Sequence, residues 1–172
     1  LGGDGGFIDT SGSRLTIAET ASVSTAAPQG TAGTWLIDPY DIIISDTRTL
    51  SGATYSDNYT ATSNTSVIRS SSIESALNLG SNVVISTGAA GSAGSQSGNI
   101  DVESDITKTS GVAATLTLVA ANLIQVNANV TIGSSGNALH LNLSTSGTGA
   151  TRSFDGTFTG SGSLTKSGTG VV

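Results

Sequence analysis

The sequence predicts an all-β chain wound into a parallel β-helix, a solenoid whose strands stack rung upon rung. Three observations carry this expectation. The apolar residues are mostly Val, Ile and Leu, set in short clusters with Thr, a composition that suits pleated strands. No apolar series keeps a helical period for a dozen positions without interruption by Gly, Asn, Ser or Thr. Short alternating strands return repeatedly between polar turns that contain Gly or Asn.

The repeat is clearest in the second half of the chain. Asn82-Val83-Val84-Ile85-Ser86 is followed by Gly98-Asn99-Ile100-Asp101-Val102, then Ala114-Thr115-Leu116-Thr117-Leu118, then Asn137-Ala138-Leu139-His140-Leu141-Asn142-Leu143. Ile85, Val102, Leu118 and Leu141 stand 17, 16 and 23 residues apart. Ile106, Ile124-Gln125-Val126 and Val130-Thr131-Ile132 supply secondary strands between them. Three short strands and three turns close one rung in roughly twenty residues. The spacing therefore places Ile85, Val102, Leu118 and Leu141 on one interior line, with Ile100, Leu116 and Leu139 on a second. Asp101, Thr117 and His140 then point outward, because side chains alternate along a strand. An antiparallel sandwich also uses short, evenly spaced strands. It is disfavoured because two-residue hairpin turns are scarce: Asp-Gly occurs only at Asp4-Gly5 and Asp155-Gly156, and Asn-Gly nowhere.

The first half is less regular. Phe7-Ile8, Leu15-Thr16-Ile17, Val23, Thr34-Trp35-Leu36-Ile37 and Ile42-Ile43-Ile44 read as strands. Residues 45–66 are polar, hold Tyr55 and Tyr59, and read as an excursion from the coil. Residues 71–79 carry the one helix-like signal, with Ser72 placed to cap its start and Ile73, Ala76 and Leu77 on one face. The whole of 1–172 reads as a single β-helical segment.

Composition narrows the function classes. Only 10% of residues are charged, against about 25% in an average soluble domain, while Ser and Thr together number 53. Cysteine is absent, which removes disulfides, thiol catalysis and thiolate metal sites. The basic residues are scattered as Arg14, Arg48, Arg69, Lys108, Arg152 and Lys166, and net charge is -6. A nucleic-acid groove needs clustered cations, so no nucleic-acid partner is expected. Attachment to anionic lipid is disfavoured for the same reason. No signal peptide or membrane-spanning run is visible. Because Leu1 opens directly into a glycine-rich, repeat-like stretch, the chain reads as an internal fragment of a longer shaft.

Candidate chemistry is sparse. His140, the single histidine, sits at an outward strand position and reads as an ordinary solvated residue. Asp101, Glu103 and Asp105 alternate along what reads as one strand and form an acidic stripe, a weak calcium candidate. Calcium takes six to eight oxygen ligands, and three spread carboxylates supply few. Asp4, Asp9, Asp38, Asp41 and Asp46 are turn-friendly, with Asp38-Pro39 reading as a turn. Trp35 could stack on a sugar, yet its strand position favours the core. Gly2, Gly3, Gly5 and Gly6 lack the Lys and Ser/Thr of a phosphate loop. Four N-x-S/T sequons begin at Asn58, Asn64, Asn129 and Asn142. Catalytic and cofactor-binding residues are assigned to none of these positions.

Two stretches carry a resemblance. Gly2 to Gly12 (GGDGGFIDTSG) and Thr31 to Asp41 (TAGTWLIDPYD) resemble segments of filamentous-haemagglutinin-like exoproteins and high-molecular-weight adhesins of the two-partner secretion type. Gly98-Asn99-Ile100-Asp101-Val102 and Thr115-Leu116-Thr117-Leu118 match the strand units that follow in that family, so the likeness spans roughly residues 1–143. The tail, 154–172, is similar to the start of an autotransporter-passenger β-strand repeat. Both resemblances imply a right-handed parallel β-helix in a secreted or cell-surface bacterial protein. They imply attachment as the function of the whole, with host or surface glycans or proteins, and other β-helical segments of the same polypeptide, as partners. They also imply glycosylation, for which Asn58 and Asn64, in the expected excursion, are the candidates. The chain is expected to be a non-enzymatic adhesin shaft, prone to stack end to end where its rungs are uncovered. The alternative is an extracellular β-helix that binds or degrades polysaccharide. A third reading, an ice- or mineral-binding solenoid, needs a regular outward threonine array.

Overall fold

A computed structural model describes residues 2–47 except 14, 16 and 19, together with 65–87, 97–146 and 154–170. The described residues form a parallel β-solenoid with three faces and one helix. The first face stacks β1 (Phe7–Ser11), β2 (Thr34–Asp38), β5 (Asn82–Ser86), β8 (Ala114–Ala120), β11 (Leu139–Thr145) and β13 (Leu164–Ser167) in that order. The second stacks β4 (Thr65–Ile68), β3 (Asp41–Ile44), β6 (Ile100–Val102) and β9 (Ile124–Val126). The third stacks β7 (Ile106–Lys108), β10 (Thr131–Ser134) and β12 (Thr157–Thr159). All ten strand pairings are parallel. Parallel neighbours cannot be joined by a tight hairpin, so each must be reached by a full circuit of the coil.

Alternation drives the coil closed. In β8 (ATLTLVA) and β11 (LHLNLST) every second residue is buried, and the ones between are half-exposed. Buried side chains from the three faces meet in one cluster running the length of the solenoid. Ile85, Val102, Leu118 and Leu141 are all fully buried in it. The register corrects their expected single line. Ile37, Ile85, Leu118 and Leu143 form one column of the first face. Trp35, Val83, Leu116, Leu141 and Leu164 form the column beside it. Val102 stacks between Ile44 and Val126 on the second face, where Ile100 likewise lies between Ile42 and Ile124. Leu139 pairs with Ala114 instead of Leu116. Equivalent positions are 33 residues apart from Ile85 to Leu118 and 25 from there to Leu143, so steps of 16 or 17 had mixed two faces.

Two features depart from a plain coil. The chain leaves β3, and β4 then pairs with the opposite edge of β3 from β6. Thr65 and Ser66 therefore belong to a strand, and Ser45 is buried with its N–H on the carbonyl of Ile68. Of the expected excursion, 48–64 lies outside the described residues. The helix α1 (Ser70–Asn78) then lies against β7, on the edge that β10 leaves open. Ile73, Ala76 and Leu77 face the core as the pattern predicts, but Ser72 is buried inside the helix. Arg69 takes the N-cap position without a side-chain cap bond.

At the β1 end of the core, Ile17 is buried, and Leu15 and Val23 are half-buried against the same cluster. The Leu15 N–H donates to Ser66 Oγ (3.0 Å) and the Thr25 N–H to Ser81 Oγ (2.8 Å), which ties this segment across that end. The glycine motif serves close approach: a Cβ on Gly5 would come within 2.1 Å of the Thr25 carbonyl oxygen and 2.3 Å of the Gly33 nitrogen. Among the described residues no helix is long and apolar enough to cross a membrane.

Candidate functional site: the corner carboxylates

The polar side chains that could carry chemistry gather at the corners between faces. Asp and Asn suit these positions because their short side chains reach neighbouring backbone groups. Here they reach the next rung. Asp41 Oδ1 accepts the N–H groups of Gly98 and Asn99, both at 2.8 Å. Glu74 accepts Thr107 N–H at 2.6 Å, and Asn78 Oδ1 accepts those of Thr109 (2.8 Å) and Ser110 (2.9 Å). Asn82 accepts Thr115 N–H (2.9 Å), Asp105 accepts that of Thr131 (2.7 Å), and Asp4 that of Thr31 (2.8 Å). In all six cases the acceptor precedes its donors, by 26 to 58 residues, so each of these side chains, at a corner or on α1, clamps the coil laid down after it.

The α1 clamp also organises local charge. Glu74 and Asn78, one helical turn apart, take three N–H groups along the free edge of β7 and its following turn. Gly111 closes that turn with φ of 74°, and a Cβ there would meet the Asn78 carbonyl oxygen at 2.1 Å. Burial raises the Glu74 carboxyl above its ordinary value; the Thr107 N–H opposes this, and the nearby charges of Asp46 and Asp105 add to it. Asp46 accepts a hydrogen bond from Ser70 Oγ, and its N–H donates to Ser104 Oγ at 2.9 Å.

The acidic stripe expected at Asp101, Glu103 and Asp105 is a corner. Strand β6 ends at Val102 and β7 begins at Ile106, so the three residues do not lie along one strand. Asp101 is half-buried on β6, the Glu103 N–H donates to the Ile44 carbonyl, and Asp105 is the exposed clamp on Thr131. No three His, Cys, Asp or Glu side chains come close enough to hold a metal ion among the described residues. His140 lies outward on β11, its Nδ1 2.9 Å from Ser163 Oγ. Trp35 is 1% exposed, and its indole N–H donates to Thr10 Oγ1 at 3.0 Å, so it presents no ring face to solvent. A cleft of about 380 Å³ is lined, among the described residues, by Gly2, Gly3, Pro28 and Gln29, none of which has an ionisable side chain. Asn129 is exposed and Asn142 half-buried, whereas Asn58 and Asn64 lie outside the described residues.

The sequence reading missed Lys108. It occupies the inward end of β7, is fully buried, and turns its ammonium back onto the carbonyls of Ser110 and Gly111. Burial lowers its pKa. The alternation Ile106-Thr107-Lys108 was the available signal, since it points Lys108 to the same side as Ile106. Lys166, on the exposed strand β13 beside Leu143, likewise turns its ammonium onto the carbonyls of Gly168 (2.9 Å) and Gly170.

The outward face of β2, β5, β8, β11 and β13 is not a threonine array. One outward column runs Leu36, Val84, Thr117, Asn142, Thr165, and the next Ser86, Val119, Ser144, Ser167. Comparison of the chain with protein-family models, curated proteins and solved structures finds no match in any of the three.

Proposed function

We propose that this chain is a shaft segment of a large secreted or surface-exposed bacterial adhesin, supporting or mediating attachment without catalysis. The observation that carries the reading is the use made of the carboxylates at its corners and on α1. Asp4, Asp41, Glu74 and Asp105 each spend a carboxylate oxygen on the backbone of the following rung. A carboxylate held this way serves rung-to-rung cohesion, which an elongated load-bearing body needs along its whole length. The short Ser, Thr and Asn side chains of the outward columns offer many weak hydrogen bonds with little side-chain entropy to lose. The resemblance of residues 1–143 to the adhesin family points the same way.

Two measurements test this. Beads coated with the chain, passed over host cells, glycan arrays and plain surfaces, should be retained on at least one of them above beads carrying an unrelated protein of equal charge. A screen over acidic and neutral polysaccharides, with and without calcium, should show no turnover. Turnover abolished by changing a single Asp or Glu would replace the shaft reading with the polysaccharide-degrading one.

A further inference from the structure

The corner between the first and second faces contains an Asp–Pro bond, Asp38–Pro39, and its surroundings bear directly on the reactivity of that bond. An aspartyl–prolyl bond is the peptide bond most open to attack by its own side chain. The aspartate carboxyl can close a five-membered ring on its own carbonyl carbon. The proline nitrogen is a tertiary amide, more basic than an ordinary peptide nitrogen, and leaves readily once protonated.

Three contacts set this corner apart from an Asp–Pro pair in a loose loop. The Asp38 carbonyl oxygen accepts a hydrogen bond from Gly12 N–H at 3.2 Å, a donor aimed where negative charge develops when that carbonyl is attacked. The Asp38 side chain is half-buried on the outward face, between Ser11 of β1 and the Ser86 position of β5. Burial and then the Asp9 carboxylate raise its pKa, while a hydrogen bond from Ser86 opposes them, so the carboxyl keeps its proton to higher pH than a free aspartate. Among the described residues Asp9 on β1 is the ionisable group facing it, and β5 presents the Ser86 hydroxyl. Pro39 is buried, and Asp41 pins the far side of the corner through Gly98 and Asn99.

We propose that Asp38–Pro39 is a built-in self-cleavage site of the folded solenoid. A carboxyl oxygen of Asp38 attacks the Asp38 carbonyl carbon, and the resulting oxyanion lies against Gly12 N–H. The carbon–nitrogen bond to Pro39 breaks, and the carboxyl proton passes to the departing proline nitrogen. Asp38 is left as a cyclic anhydride, which one water opens to an α-carboxyl and the side-chain carboxyl. The balance is one peptide bond and one water consumed, with a new carboxyl terminus at Asp38 and a new amino terminus at Pro39. No external cofactor or reductant enters.

The cut falls after the last residue of β2, so the one rung-to-rung hydrogen bond it touches is that from Gly12 N–H to the Asp38 carbonyl. Strand β2 stays paired with β5 from Thr34 to Ile37, and β3 stays between β4 and β6. The nicked protein is therefore expected to remain one particle until it is unfolded.

The test is to hold the folded chain at about pH 5, between the ordinary aspartate and histidine values, and follow it by intact mass and denaturing electrophoresis. The same chain unfolded in guanidinium at the same pH gives the unassisted rate. The folded chain should yield fragments 1–38 and 39–172 about tenfold or more faster than the unfolded one, the order expected when reacting atoms are held in place. Size exclusion should still show a single species. Pro39→Ala and Asp38→Ala should stay whole. Asp9→Asn, with an unchanged circular dichroism spectrum, should cleave several-fold more slowly. Cleavage of the folded chain no faster than the unfolded one, or cleavage persisting in Pro39→Ala, would overturn the proposal.

Discussion

Truncating Leu118 to alanine tests the column assignment most directly. Leu118 is fully buried on β8, with Ile85 on the rung before it and Leu143 on the rung after. The substitution removes three carbons from the core, about 2–2.5 kcal/mol of transfer free energy at about 0.8 kcal/mol per methylene. Rungs above and below are fixed by their own hydrogen bonds and collapse little, so a cavity term adds to this. The total should fall at about 3–4 kcal/mol, inside the usual range for buried leucines. Urea unfolding followed by far-ultraviolet circular dichroism should show the midpoint falling with little change in slope. Thr117→Ala, one residue away on the outward face, should stay within about 0.5 kcal/mol. Double-mutant cycles then separate the columns. Leu118→Ala should couple to Leu143→Ala, its register partner, more strongly than to Val102→Ala on the second face. Stronger coupling to Val102 would refute the register described above.

Asp41→Ala removes two charge-assisted bonds to Gly98 and Asn99 and should cost about 2–3 kcal/mol in the same urea assay. Glu74→Gln should raise stability at pH 7, since the amide oxygen still accepts Thr107 N–H without the cost of a partly buried charge or its repulsion by Asp46 and Asp105. The sign follows from the raised pKa: the Glu74 contribution is complete below its ordinary value of 4.5 and is lost as pH rises through the folded value, so variant and wild type should converge in acid. Lys108→Met should be more stable than wild type at neutral pH, with the gap closing toward pH 10.5, because the lowered pKa places the cost of the buried ammonium below that point.

Much of the fold was legible because one signal repeats. Alternation in Val83–Ile85, Leu116–Leu118 and Leu139–Leu143 marks strands and their buried sides without any tertiary information. Which strand stacks on which was not legible. Ile85 and Val102 look like successive copies of one position, yet the chain has only moved to the next face between them. The return of β4 was hidden for a related reason: Thr65–Ile68 is four residues long and follows a polar run, and nothing local says it pairs behind β3. The corner clamps were half visible. Asp41 was recognisable as a turn residue, whereas Asp105 read as part of a strand; their partners stand 57 and 26 residues further on, set by a register that only the closed coil defines.

The placement of β4 constrains the order in which this protein can assemble. On the second face the strand sequence is β4, β3, β6, β9, so the edge of β3 remote from β6 is filled by chain that emerges after it. A solenoid wound strictly from its amino-terminal end could add each rung as soon as it was synthesised. Here β3 must wait, one edge unpaired, until Thr65–Ile68 arrives, and the third side of that coil waits further for α1. Loop closure over that span precedes any reward from its contacts. Nucleation is therefore expected among the uninterrupted rungs of β8 to β11, with growth back toward β1 as the late step. Substitutions in β8 should slow folding, whereas those in β4 should chiefly speed unfolding.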